Sequence, residues 1–522
     1  MNTVLCDCPS TLEKMNDDVL LLIVSFLSTA SRWDLRRMSL VSKHLRSVCL
    51  PILFEKARIH RGRLLDSDPP PASWPYIRTM EISGSFKFDF QYDGAGHLPD
   101  IIPHLVALRK VQFSYIAGGI YWYDLQLILA APNVCALEIQ DFAGLQHEDL
   151  SIPEDQSLVS LPFTEFIYTI DDPPAPDWNL FDPPGPRNRW CYMNPIVLSL
   201  HEKLEVLHLP IAIAPLQDMA AMNWPYLREL KLYSGEYISD DRTIFARLCV
   251  RMPRLRVLDL QFLHIGPSTQ TLIWPSDLTF TPSLEHLERV YIPYPDSSDL
   301  LYAHLPSTLQ SLRLVDRPRY YHFKDGRLPI VNHYPRPTLV TAAALVCILN
   351  RLQGTFTSLK QLELAFQADG RDIDLSYHIA ATFPNLHVLQ LHRYRSEGET
   401  EADIERSVKS IAQNLSTIPT LYHLRIYLNF PDDDYRYPLI IGQQYDTPVI
   451  TQQEFVDLLG HYAAIISQRC GSVLQVIDFL TTWVFGAHVW IRWYISRDDI
   501  GQPIVKLHDP SFYLPRYRDV GP

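Results

Sequence analysis

At 522 residues the chain exceeds one ordinary domain, but a stack of repeats lengthens without enlarging a single core, so length alone does not demand several folds. Its 59 acidic and 46 basic residues give a formal charge of −13, which argues against general nucleic-acid binding, where phosphate neutralisation supplies much of the affinity, and favours a basic partner region. The eight cysteines are scattered, mostly in apolar segments, without a CxxC pair, and read as reduced thiols of a cytosolic or nuclear protein.

Residues 1–10 read as a disordered tail, and Cys6 and Cys8 within it lack the nearby His partners of a metal site. From Val19 to Leu27 the sequence is VLLLIVSFL, with Ser25 its one polar position. Asn16 stands where a helix N-cap is needed, and Asp17 and Asp18 where the helix dipole favours negative charge. The run is too short for a membrane span, which needs about 20 apolar residues, and its acidic lead is unlike that of a signal peptide. A helix that is apolar all round needs two burial partners, its own bundle and something further. The further partner is either the rest of the chain, through Leu21 and Leu22, or a second polypeptide.

The segment Met15 to Ile59, MNDDVLLLIVSFLSTASRWDLRRMSLVSKHLRSVCLPILFEKARI, resembles an F-box. The positions that carry the resemblance are Met15, Asp18, Leu20, Ile23, Phe26, Leu27, Asp34, Leu35, Leu40, Val41, Ser42, Lys43 and Leu45, and the tail PILFEKARI is similar to fungal members. Asn16 replaces the usual proline and Leu45 the frequent aromatic. The resemblance implies a three-helix module over 11–60 that docks on a Skp-type adaptor joined to a cullin. It implies an adaptor-binding set of Met15, Asn16, Val19, Leu20, Ile23, Phe26, Leu27, Leu35, Leu40, Val41 and Leu45. It further implies a substrate receptor of an SCF-type ubiquitin ligase, itself non-catalytic, or an interaction scaffold without a role in ubiquitin transfer.

Beyond the module a proline, a spacer and the pattern LxxLxL recur at Pro75, Pro132, Pro225, Pro253, Pro282, Pro384 and Pro419. Looser copies begin at Leu108, Leu204, Leu309, Leu359 and Leu474. Within the phrase the fourth and sixth residues share one strand face, and the fifth, usually polar here, points the other way. The proline cannot continue a helix, so it separates each strand from a preceding helix. Helical periodicity fills those intervals, most cleanly at Ile404, Val408, Ile411 and Leu415. The interval is close to the roughly 20–29 residues of a leucine-rich repeat, and no such unit buries its Leu row alone. The expected fold is α/β, a leucine-rich-repeat solenoid over 61–482 with a curved parallel sheet on its concave face and helices on its convex face. Proline-rich stretches near 171–190 and 316–338 read as exposed loops. From Trp483 to the end, over 483–522, the alternation in WIRWYI predicts a closing strand that caps the array.

The outward strand positions Glu229, Lys231, Tyr233, Asp259, Gln261, Arg313, Glu363, Gln390, His392, Arg425 and Tyr427 form the largest continuous polar surface such an array presents, and are the expected target-binding row. No catalytic constellation emerges. Asp432, Asp433 and Asp434 lack the rest of a calcium loop, Asp369, Asp372 and Asp374 read as a strand-to-helix turn, and DGAGH at Asp93 lacks the context of a phosphate loop. His201, His208, His264, His286 and His392 fall in different repeats, so no shared metal site is expected, nor any cofactor.

Overall fold

The computed structural model describes residues 11–60, 69–83, 98–115, 125–126, 128, 131, 133–142, 161–171, 194–211, 213–236, 241–263, 272–278, 284–317, 319–321, 338–352, 354–430, 452–471, 473–482 and 488–508. The tail at 1–10, the stretch at Asp93, residues 172–190 and 322–337 of the two proline-rich intervals, His264, Asp432 to Asp434, and residues 483–487 and 509–522 lie outside them.

Three helices open the described chain: α1 (Asp17–Ala30), α2 (Arg32–Met38) and α3 (Lys43–Leu53). Each starts at a side-chain cap, because the first turn of a helix leaves amide donors without intrahelical partners. Asn16 accepts from the Asp18 amide at 3.0 Å, Ser31 from Asp34 at 3.2 Å and Ser42 from Leu45 at 3.2 Å. Leu20 and Val24 of α1, Leu35 of α2, and Leu45, Val48 and Cys49 of α3 form the core of the module.

The described residues divide into two compact units, one up to His208 and one from Leu209 onward. In the first, β1 (Lys56–His60), β2 (Thr79–Ser83), β3 (Lys110–Ser114), β4 (Ala136–Phe142), β5 (Glu165–Asp171) and the start of β6 (Val206–Pro210) pair in parallel in chain order. Their register stacks Met80, Val111, Leu137, Phe166 and Leu207 into one column, all buried.

In the second unit β7 (Glu229–Glu236), β8 (Val257–Leu263), β9 (Arg289–Pro293), β10 (Ser311–Val315), β11 (Gln361–Gln367), β12 (Val388–Tyr394), β13 (His423–Leu428) and β14 (Val476–Thr482) pair in parallel, again in chain order. Within this unit the register stacks Leu230, Leu258, Val290, Leu312, Leu362, Leu389, Leu424 and Ile477 into a buried column of its own. Each such side chain contributes roughly 1.5–3 kcal/mol on burial, so the phrase repeated in sequence is the repeated unit of cohesion. Then the pattern changes: β15 (His488–Arg497) and β16 (Pro503–Leu507) pair antiparallel. Helices Ala342–Arg351, Asp372–Thr382, Glu401–Leu415 and Gln452–Arg469 pack side by side in chain order. The third of these opens with a reciprocal capping box between Thr400 and Asp403, and its predicted apolar stripe is buried.

Two of the parallel strands have no repeat phrase in sequence. β1 is the end of the segment that resembles an F-box tail, and β5 lies in the long interval before Leu204. The turn at Asp369 is a strand-to-helix connection as its composition predicts: Gly370 takes φ +83°, and Asp369 accepts from the Ala343 and Arg371 amides, each at 3.0 Å.

Candidate functional site

The three-helix module has more apolar surface than its own core uses. Leu20 and Val24, four residues apart, take the inward stripe of α1, which leaves Val19, Leu22 and Phe26 as a second stripe on another side. Leu22 and Phe26 are 72 % and 75 % exposed, and Leu40 and Val41, after α2, are 73 % and 69 % exposed. Met15 and Leu21 are exposed as well, while Ile23 and Leu27 are half-buried. Asn16 is spent on the α1 cap. Trp33, exposed and carrying the Arg37 guanidinium 5.4 Å from its ring centroid, was not singled out in sequence, although a tryptophan at the start of a short capped helix has little local core to enter.

Three members of the expected adaptor-binding set are corrected by burial. Leu20, Leu35 and Leu45 are 0 %, 0 % and 1 % exposed, because one residue from each helix is needed to close the small core. They close the core of the module and are not part of its surface.

The polar strand positions of the second unit lie in two adjacent rows. One runs Lys231, Asp259, Tyr291, Arg313, Glu363, Gln390, Arg425, Asp478 and, on the antiparallel strand, Arg492. The next carries Tyr233, Gln261, Ala365, His392, Tyr427, Leu480 and Trp490. Glu229 sits two residues before Lys231 and pairs with it at 2.9 Å, and Asp259 accepts from Gln261 at 2.9 Å. Burial raises the Asp259 carboxyl above its ordinary range.

Glu363, His392 and Tyr427, expected to face water, are buried. Alternation does place them on the side away from the Leu column, but Tyr320, Tyr321, Leu339 and Trp490 pack over that side and form a second apolar cluster with Tyr291, Tyr294, Val315, Ala365, Tyr394, Tyr427 and Leu480. Tyr321 meets the Tyr427 ring edge-on at 5.5 Å, and the His392 ring meets Trp490 at 5.8 Å. The cover is fastened by charge. Asp316 accepts from Tyr394 Oη at 2.6 Å and pairs with Arg319 at 3.2 Å, and Arg319 pairs in turn with Glu363. The start of the second proline-rich interval is therefore folded onto the sheet, where sequence predicts an exposed loop.

Glu363 also accepts from Gln390 at 2.8 Å, and lies 3.2 Å from His392 Nε2 and 3.5 Å from Arg313 Nε. Burial alone would raise its carboxyl; Arg319, His392 and Arg313 outweigh it and hold the group well below the usual carboxylate range. Burial, reinforced by the neighbouring Arg319 charge, lowers the His392 imidazole. Asp478 accepts two bonds from Arg492, at 2.8 and 3.0 Å, and lies 2.9 Å from His423 Nε2. Burial opposes its ionisation, but Arg492 and His423 bring it down to about 2. These carboxylates are tied into ion pairs and make poor general acids or bases. A cavity of about 400 Å³ opens beside the cluster, lined by Tyr320, Leu339, Tyr394, Glu397 and Asn429.

Among the described residues no group of three or more His, Cys, Asp and Glu side chains is arranged to hold a metal ion, and no helix is long and apolar enough to cross a membrane. Cys49, Cys135, Cys249, Cys347 and Cys470 are free thiols, with burial pushing Cys249 and Cys470 up to about 12.

Residues 12–54 match the F-box domain family, so the three-helix module is an F-box domain, of the class that docks on Skp-type adaptors. No curated protein matches the chain in sequence. Among solved structures, the chain is similar to the Rad7 and Elc1 complex in yeast, at 11 % identity and a TM-score of 0.33 over 80 % of this chain and 83 % of that one. It is similar also to the TLR13–ssRNA13 complex, at 12 % identity and a TM-score of 0.25 over 73 % and 54 %. Both likenesses are distant.

Proposed function

We propose that this chain is the substrate-recognition subunit of an SCF-type ubiquitin ligase. Its F-box docks on a Skp-type adaptor and, through it, a cullin; the polar strand face of the second unit holds a target protein. In this reading the chain is a non-catalytic receptor of the leucine-rich-repeat type, working in the cytosol or nucleus, where its free thiols stay reduced.

The observation that carries the reading is the exposed set Val19, Leu22, Phe26, Leu40 and Val41 on a module whose core is already complete without them. An apolar patch of that kind on a folded surface marks a protein interface. The proposed adaptor contacts are these five with Met15, Ile23 and Leu27. The test is the full chain carrying Leu22→Asp with Phe26→Asp, compared with wild type for co-purification with a Skp-type adaptor and for ubiquitylation of captured protein by the reconstituted cullin complex. The expected result is loss of both with unchanged circular dichroism. Adaptor binding at wild-type strength would overturn the docking assignment; adaptor binding without any ubiquitylation by the wild-type chain would favour a scaffold.

A further inference from the structure

The strand face of the second unit carries an exposed arginine stripe that a net charge of −13 does not foretell. Register aligns Arg313 of β10, Arg425 of β13 and Arg492 of β15 in one row, with Arg289 of β9 two residues earlier, opposite Ser311. The side chains of Arg289, Arg313, Arg425 and Arg492 are 57, 46, 29 and 40 % exposed, whereas their carboxylate partners Glu229, Glu363 and Asp478 are 19, 9 and 1 % exposed. Charge is therefore layered by depth: carboxylates lie beneath, and guanidinium edges meet solvent. An arriving partner meets the remaining guanidinium N–H donors first, and these suit carboxylate oxygens.

Two of the four are already oriented. Arg425 lies over Trp490, 4.0 Å from the ring centroid, and donates to Gln390 Oε1 at 2.8 Å; Arg492 grips Asp478 through both Nε and Nη2. Side chains fixed beforehand lose little freedom on binding. Tyr494, exposed and two residues beyond Arg492 on the same strand face, adds an aromatic edge.

We propose that this stripe is the docking surface for an extended segment of a partner protein rich in aspartate and glutamate. The proposal rests on the strand face being the target-binding surface and names the chemistry of the target. From β9 to β15 there are six strand spacings of about 4.8 Å, roughly 29 Å, the span of about nine extended residues. Four arginines, already paired with three carboxylates beneath them, are too few to hold a nucleic-acid backbone, but their outward N–H donors suit one short acidic segment.

The test selects random nonapeptides, displayed on phage, against the full chain, then measures the winning peptide by fluorescence anisotropy with and without each Asp and Glu replaced by its amide. Enrichment of Asp and Glu is expected, with about tenfold weaker binding of the amide form. The Arg289→Ser, Arg313→Ser double variant should bind roughly threefold to tenfold more weakly, and Arg289→Lys, Arg313→Lys should recover most of that. Binding should fall further at 1 M salt, where screening acts within about 3 Å. No selected peptide, selection without acidic enrichment, or unchanged affinity in the serine variant would overturn the proposal. So would a phosphoserine peptide binding tenfold tighter than its glutamate form, which would assign the stripe to phosphate. Adaptor co-purification by the same variants is measured in parallel: if it persists while acidic selection is absent, this inference falls and the receptor reading stands.

Discussion

In the F-box domain, leucines and a phenylalanine lie at the surface; in the second unit, Asp316, Glu363, His392, Arg393 and Asp478 lie in the interior. Each region breaks the ordinary rule in the opposite direction, and the resolution differs. The buried charges find their partners within the chain. Asp316 and Glu363 share Arg319, Arg393 holds Asp372 and Glu399, and Asp478 holds Arg492 and His423. The exposed apolar residues of α1 have no such internal resolution, because the six-residue core of the module is already closed. A misplaced polar group that is satisfied speaks of architecture, whereas a misplaced apolar patch that is uncovered speaks of a second protein.

Substitutions at the two regions should behave in opposite ways. The largest effect is expected at Leu20→Asp, which buries an unpaired carboxylate among Val24, Leu35 and Leu45 and should unfold the module, read as loss of helical signal from residues 17–53 together with adaptor binding. Next, Arg319→Met removes the cation that buried Asp316 and Glu363 share and should destabilise the second unit by about 3 kcal/mol in a denaturant titration, leaving adaptor binding unchanged. Thr400→Ala removes one half of a capping box and should cost about 1 kcal/mol by the same measurement. The smallest effect on stability is expected at Leu22→Asp and Trp33→Ser, within about 0.5 kcal/mol, since both side chains are largely in water.

Acid sharpens the contrast. The folded Asp478 carboxyl is depressed from an ordinary 3.8 to about 2, so its contribution is fully present above about pH 4 and is lost as pH falls through about 2. Glu363, also depressed, acts in the same direction. The second unit should therefore lose stability on acidification below about pH 4, followed by fluorescence of Trp490. Arg492→Met should flatten that loss, because it removes the largest favourable interaction of the ionised form.

The sequence made the strands legible wherever Leu spacing marked them, since alternation and a preceding proline are local signals. β5 escaped because EFIYTID buries Phe166 and Tyr168 without any leucine, although its period-two alternation was there to read. The face of each polar strand residue was legible too; its exposure was not. Glu363, His392 and Tyr427 are covered by Tyr320, Tyr321 and Trp490, from segments 44 residues before Glu363 at Arg319 and beyond β14, and no local pattern announces that distant contact. The basic and aromatic run RPRYYHF was the available hint. In the module, the residue types of the docking set were legible by resemblance, but which of them close the core depends on how three short helices cross.

The most direct test of the docking face is hydrogen–deuterium exchange of the full chain with and without a Skp-type adaptor. Added protection confined to the segments around Val19–Leu27 and Leu40–Val41, with the strands of the second unit unchanged, is the predicted result. Protection absent from both segments while the adaptor is bound would show that the exposed apolar stripe is not where the second protein sits.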